Sequence, residues 1–199
     1  MVTRSPSDGA SVSGIGPVPI IRHGSVFLRP AEREDLPRFV AWLGDARTTQ
    51  TLALRGPISL AMEEGWFERL LEVQGRDTWH FVICRVDDGR PIGAIGLHDV
   101  DPVNGSAMLG IFIGDPADTG QGYGSDALRA IVSFGFAELR LERIWLDVYA
   151  YNDRARRVYD RVGFVHEGTL RHALYRSGAF QDVHRMSILR EEWAAQDRG

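Results

Sequence analysis

Cysteine is nearly absent from this chain: Cys84 stands alone, so no intrachain disulfide can form, and no ligand spacing around it suggests zinc. It lies in the apolar string Phe81-Val82-Ile83-Cys84 and reads as a small buried hydrophobe rather than a covalent acyl carrier. Long hydrophobic runs are missing too. Stretches such as Phe81 to Cys84 and Ile144 to Leu146 fall far short of the roughly 20 residues a membrane helix needs. The N-terminus shows no basic-then-apolar export signal, and the expectation is a cytoplasmic protein with no membrane partner. Nor is there an excess of positive charge: 23 basic against 27 acidic residues leave a net charge of −4, which supplies no cationic field to hold nucleic acid.

What is present is ordinary globular composition, with 44% hydrophobic and 25% charged residues over 199 positions. That is enough for one well-packed domain. Residues 1–19, rich in Ser, Gly and Pro, read as a flexible tail, and 20–195 as the domain. A short strand at Val26 to Leu28 leads to a helix through Leu36, Phe39, Val40 and Leu43, stopped near Gly44. A second helix runs from about Ser59 through Leu71, and residues 45–58 between the two have no clear period, as substrate-facing loops often do. The period then switches to two. Trp79 to Val86, Pro91 to Leu97 and Ser106 to Ile113 predict an antiparallel meander, with turns at Asp87-Asp88-Gly89 and Asn104-Gly105. A helix over 124–139, a strand Arg143 to Tyr149, a helix Asp153 to Val162 closed by Gly163, and a long hairpin turned at Ser177-Gly178 follow. The fold class is α/β (α+β): one mixed, mostly antiparallel sheet flanked by helices.

Most of the functional information lies between Ile111 and Ser125. The glycines of Thr119-Gly120-Gln121-Gly122-Tyr123-Gly124-Ser125 let the backbone turn tightly between a strand and a helix N-terminus. Successive N–H groups and the helix dipole then favour an anion such as a pyrophosphate. No Lys-Ser or Lys-Thr follows, which excludes a Walker loop. A dinucleotide-binding turn is the rival, with Asp147 as ribose partner. The glycines run G-x-G-x-G, however, the sixth position is Ser125, and three antiparallel strands precede the turn. In the helix that follows, Gly135 costs about 1 kcal/mol relative to Ala, so close packing is its expected reason.

A second constellation, Asn152-x-Arg154-Ala155-x-x-x-Tyr159-x-x-x-Gly163-Phe164, places an Asn cap before a helix whose Ala155, Val158, Tyr159 and Val162 share one face. On its own, Tyr159 reads as a core tyrosine and Asn152 as a cap. Taken with Gly120-x-Gly122-x-Gly124, the pattern resembles the GCN5-related N-acetyltransferases over about residues 20 to 193. Val26-x-Leu28-Arg29-Pro30 and Gly178-x-x-x-Asp182-x-x-x-Met186 resemble the branch containing ribosomal-protein N-terminal and spermidine acetyltransferases.

The resemblance implies acetyl-CoA as co-substrate, no metal, and two strands splayed apart to admit pantetheine. Backbone groups of Ile111, Phe112 and Ile113 would hold the pantetheine and acetyl ends. Thr119 to Ser125 would cradle the pyrophosphate, Asn152 would contact the cofactor arm, and Tyr159 would lie near the sulfur. Thr119 departs from the Gln or Arg usual in the family at that position. The implied reaction is direct attack of a neutral amine on the thioester, with an oxyanion donor at the Phe112 or Ile113 N–H and Tyr159 as acid to the departing thiolate. Asp147 is the candidate base, with water as the alternative. Acceptors range over peptide N-termini, polyamines and small amino compounds, and Asp45, Glu32, Glu63 and Glu64 are candidates to draw a cationic amine. A noncatalytic acyl-CoA-binding regulatory module is the other function compatible with the pattern. The sheet edges and apolar C-terminal hairpin are compatible with a homodimer.

Overall fold

Turn chemistry sets the first half of the sheet. In the computed structural model, which describes residues 21–196, Gly89 and Gly105 take φ of 71° and 63° in the turns joining β3 (Trp79–Arg85), β4 (Pro91–Asp101) and β5 (Ser106–Ile113). The three pair antiparallel, as the alternation predicts. β4 runs on to Asp101, past the expected end at Leu97, through an irregular register between His98 and Asp101. Ahead of them β1 (Ile21–His23) and β2 (Val26–Pro30) form a hairpin around Gly24. A three-residue strand is too short to show a period, so β1 is not legible in the sequence. The proposed tail at 1–19 lies outside the described residues.

The eight strands run in the order β1-β2-β3-β4-β5-β6-β8-β7, where β6 is Arg143–Tyr149, β7 Val165–Arg176 and β8 Ala179–Leu189. Among the described strands only β5 and β6 pair in parallel, so the sheet is mixed and mostly antiparallel, as expected. At the β7–β8 turn, Ser177 and Gly178 both have positive φ, 51° and 83°. Two such residues match the right-handed twist of the flanking strands.

Each face of the sheet is covered by a different set of helices, and alternation within a strand assigns side chains to one or the other. On β3, Phe81 and Ile83 point to one core and Val82 and Cys84 to the second. The first core is closed by α4 (Tyr123–Ala137) through Leu128, Ile131 and Phe136, and by α5 (Asp153–Val162) through Val162. Gly135 is there because a Cβ would come within 2.9 Å of Ile144 and 3.1 Å of Leu97. The second core is closed by α1 (Leu36–Leu43) and α3 (Leu60–Val73), which bring Leu36, Phe39, Phe67 and Leu70 onto Val82 and Ala94. Between α1 and α3 the segment without a clear period contains one helical turn, α2 (Ala46–Thr49), and then a loop. The last described element is α6 (Arg190–Gln196).

Candidate active site

β5 and β6 pair only at Ser106–Arg143, Ala107–Ile144 and Met108–Trp145. Beyond that point β5 stays bonded to β4 as far as Ile113, and β6 to β8 as far as Tyr149, but not to each other. The strands therefore diverge, and the two facing edges carry backbone groups with no ladder partner. An extended chain bearing amides can satisfy such groups. Ile111, Phe112 and Ile113 lie on this edge. Ile111 and Ile113 pack toward the α4 core, while Phe112 meets Trp42 at 6.2 Å and Phe39 at 6.4 Å on the other side.

From the end of β5 the chain enters the glycine turn. Asp115 caps a 3₁₀ turn at Pro116–Asp118, and the buried Asp118 is held by both guanidinium nitrogens of Arg90, at 2.6 and 2.9 Å. The Thr119 hydroxyl donates to the Pro116 carbonyl, so its side chain serves the turn and only its backbone remains for a ligand. Gly120 and Gly122 take φ of 86° and 91°, which L side chains avoid. Gly124 does not: it sits in the first turn of α4, so the sequence pattern overcounts the glycines that need a left-handed conformation.

Because Gly122 is the N-cap of α4, no side chain satisfies the first N–H groups of the helix. Tyr123, Gly124 and Ser125 thus present unpaired backbone donors at a positive helix end, beside the exposed Gln121. The Arg154 guanidinium reaches within 3.7 Å of where a Cβ on Gly120 would stand. It brings a cation to the same place. Arg154 is missing from the residues the sequence analysis assigned to the cofactor, although it lies inside the quoted motif, and its position two after the cap was the available signal.

α5 starts at Asn152, whose Oδ1 accepts from the Ala155 N–H at 3.2 Å. The oxygen is thus the helix cap, and the amide NH2 is the part left to meet a ligand. One helical face carries Ala155, Val158, Tyr159 and Val162 onto the α4 core, as their spacing predicts. The Tyr159 ring lies 5.9 Å from Phe164, and its hydroxyl has no hydrogen-bond partner among the described residues. Burial pushes its phenol up to about 12.

Asp147 is on the opposite face of the sheet from Tyr159, since it alternates with Leu146 and Val148 of the α4 core. Both its oxygens accept from Arg185, at 2.9 and 2.8 Å, and Arg185 lies over the Trp145 ring at 4.2 Å. Asp147 and Tyr159 are therefore not brought together. The segment after α1 shapes this opposite face. Thr48 donates to the Gly114 carbonyl at the end of β5, and the Tyr151 hydroxyl, just past β6, donates to the Gln50 carbonyl at 2.6 Å. Residues 48–50 thereby bridge the two lips of the gap. Of the acidic candidates, Asp45 caps α2 and pairs with Arg47. Glu63 is buried, with its carboxyl pushed up by that burial.

Among the described residues no group of three or more His, Cys, Asp or Glu is arranged to hold a metal, and no helix is long and apolar enough to cross a membrane. The Cys84 side chain is buried, which pushes its thiol up and away from nucleophilic use.

A mixed sheet split between two parallel neighbours, with an uncapped helix end at the mouth of the split, can take an extended amide-bearing chain that ends in an anion, the arrangement a CoA-type acyl carrier needs. The comparisons agree. Residues 25–165 match the acetyltransferase (GNAT) domain family, and the chain belongs to that family. It is 35% identical over 109 residues to a Bacillus subtilis protein named as a ribosomal N-acetyltransferase, YdaF; the match covers 55% of this chain and 59% of that one. With the spermidine N(1)-acetyltransferase of Escherichia coli K12 it shares 29% identity over 176 residues, covering 87% of this chain and 91% of that protein. The crystal structure of the Vibrio cholerae spermidine N-acetyltransferase in complex with CoA and spermine superposes with a TM-score of 0.80 at 25% identity, over 85% of this chain and 98% of that one. This protein is an acetyl-CoA-dependent N-acetyltransferase.

Proposed function

We propose that the chain transfers the acetyl group of acetyl-CoA to a primary amine by direct attack in a ternary complex formed across the β5–β6 gap. The observation that carries this is the end of β5–β6 pairing after Met108 and Trp145, with the open N–H groups of α4 at the same mouth. The pantetheine arm would lie along Ile111, Phe112 and Ile113. Its pyrophosphate would sit on the backbone of Thr119 to Ser125, with Arg154 opposite Gly120 neutralising charge and the Asn152 amide meeting the arm.

The two faces of the gap divide the work. Tyr159, on the α4 face, stands on the thioester side as the acid that protonates the leaving thiolate. A backbone N–H at Phe112 or Ile113 would stabilise the oxyanion. With a phenol near 12 and a thiol near its ordinary 8.5, proton transfer would be uphill by about 5 kcal/mol. The same burial raises the thiol as well, which narrows the difference.

The amine approaches from the opposite face, beneath the bridge at residues 48–50. Asp147 is on that face, but a carboxylate gripped by both nitrogens of Arg185 is a poor base. Proton loss through water is the better route, and Asp147 serves by fixing Arg185 and the strand. The acceptor is a primary amine of a peptide N-terminus, a polyamine or a small amino compound, and the spermidine in one relative's name supports an amine of this kind.

The test is free-thiol release from acetyl-CoA against peptides, polyamines and aminoglycosides, with CoA binding measured in parallel. Acceptor-dependent release supports the reading. Binding without release from any acceptor would leave a noncatalytic acyl-CoA module instead.

A further inference from the structure

Four hydrogen bonds tie the end of α2 and the loop after it to the far lip of the gap. The Tyr151 hydroxyl donates to the Gln50 carbonyl at 2.6 Å. Arg176 donates to the carbonyls of Thr49 at 2.5 Å and Leu54 at 2.9 Å, and Arg55 donates to the Tyr175 carbonyl at 2.6 Å. The loop is thus strapped to the tip of the β7–β8 hairpin, and the strap is made by two guanidinium groups.

On the same side Tyr149, half-buried, ends β6 and meets Tyr151, whose hydroxyl bonds the Gln50 carbonyl, at 5.6 Å ring to ring. Burial raises the Tyr149 phenol, and the charges of Arg176 and Arg55 act against that rise, which places both within electrostatic reach of it. Neither arginine has a carboxylate within ion-pair distance among the described residues. Their partners are carbonyls, which absorb N–H groups but not charge, and a guanidinium has five donors, so most remain free. Nearby carboxylates are committed or turned away. Asp147 is taken by Arg185, Asp45 by Arg47, and Asp182, adjacent on β8 to the Val183 that pairs with Tyr149, points to the other face and accepts from the His172 N–H at 2.8 Å. Asp147 also acts on Tyr149, but its charge is matched by Arg185, so Arg55 and Arg176 leave an excess of positive charge on the acceptor side of the gap.

We infer that the acceptor is an amine bearing a carboxylate near its amino group, recognised by Arg55 and Arg176, and that a polyamine is a poor substrate. This rests on the transferase reading above and narrows its acceptor. An arginine pair suits such a ligand because a guanidinium fork matches a carboxylate bidentately. A polyamine with several ammonium groups meets repulsion at the same spot. The carboxylate can come from an acidic side chain next to a peptide N-terminus or from a free amino acid, and the substrates below separate the two.

The experiment measures kcat/KM for thiol release with C-terminally amidated peptides that differ only in Asp, Asn or Lys at the second position, and with a free amino acid and spermidine. The inference predicts Asp above Asn above Lys, with about tenfold between Asp and Lys and spermidine at or below Lys. A free amino acid that outruns the Asp peptide would assign the carboxylate to the amino acid itself, within the same inference. Arg55→Gln keeps a donor for the Tyr175 carbonyl and removes the charge. It should cut the Asp-to-Asn ratio about threefold or more, through KM and not kcat, and 0.5 M salt should shrink the wild-type ratio in the same direction. Equal or better turnover of the Lys peptide or spermidine overturns the inference. So does an Asp-to-Asn ratio that Arg55→Gln leaves unmoved. If Arg55→Gln fails to fold, the wild-type substrate series decides alone. If CoA binds and no amine releases thiol, the transferase reading falls first and this inference with it.

Discussion

Tyr159 combines two properties that a core tyrosine does not usually share: burial that keeps its phenol protonated to about 12, and a hydroxyl with no protein partner among the described residues. A Tyr159→Phe enzyme should retain its affinity for CoA and lose about 100-fold in kcat, the range expected for removing a general acid. Unchanged kcat would remove Tyr159 from the chemistry. Because the phenol stays protonated at working pH, Tyr159 should produce no falling limb in the rate below about pH 10. The same shift sets a stability sign. Below pH 10 the phenol is protonated in both states; between 10 and 12 the unfolded chain releases its proton first, and stability falls by about 1.4 kcal/mol per pH unit. At this scale the sequence was partly legible. The motif located Tyr159 and Asn152, and alternation placed Asp147 on the correct strand. The Asp147–Arg185 pair was not legible, because two residues 38 positions apart meet only through the β6–β8 register.

Among the elements, α4 and the turn before it would carry the proposed anion site, because a glycine, Gly122, stands where a capping side chain would be. Gly122→Asp would supply that cap and place a negative charge where the pyrophosphate belongs. Asp tolerates positive φ better than most residues, at a cost of about 1 kcal/mol. The expected outcome is CoA affinity weakened by about tenfold or more in calorimetry, with the melting midpoint shifted by only a few degrees. Unchanged CoA affinity would move the pyrophosphate elsewhere. On the other face, Gly114 lets α1 lie against the end of β5. A Cβ there would fall 2.0 Å from the Trp42 ring, so Gly114→Ala should destabilise the fold by about 1–3 kcal/mol in urea unfolding. The Gly114 requirement could not be foreseen from sequence, because it depends on where a helix lands. The meander, the helices and the 177–178 turn were legible, because each is written in local period and turn residues. β1 and α2 were not, since three and four residues are shorter than any period can show.

For the molecule as a whole, the acid limit of stability should depend on the buried imidazole of His80, with a further share from His98, which burial also lowers. His80 is packed against Trp66 at 5.0 Å and His98 at 6.1 Å, and its Nε2 has no hydrogen-bond partner among the described residues. Burial, with a smaller contribution from His98, lowers it to about 3. The unfolded chain takes up a proton near 6.5, whereas the folded one stays neutral. Stability is therefore full above pH 6.5 and falls by about 1.4 kcal/mol per unit as the pH drops toward 3. Urea unfolding at pH 7.5 and pH 5 should show a loss smaller by about 2 kcal/mol in His80→Phe than in the wild type, what remains including the share of His98, whose imidazole burial also lowers. Equal losses in both would exclude His80 as the cause. Nothing in the spacing of His80 shows in the sequence that α1 and α3 bring Phe39 and Trp66 against it.

The two cores make the halves of the proposed reaction separable: the α4 face would hold the cofactor and the α1 face admit the amine, on either side of the split between β5 and β6. The most direct test is the initial rate of thiol release from acetyl-CoA with and without an amine acceptor, with CoA binding followed in the same preparation. The account predicts tight CoA binding and a release that depends on the acceptor and collapses in Tyr159→Phe. CoA binding with no acceptor-dependent release from any amine would contradict it.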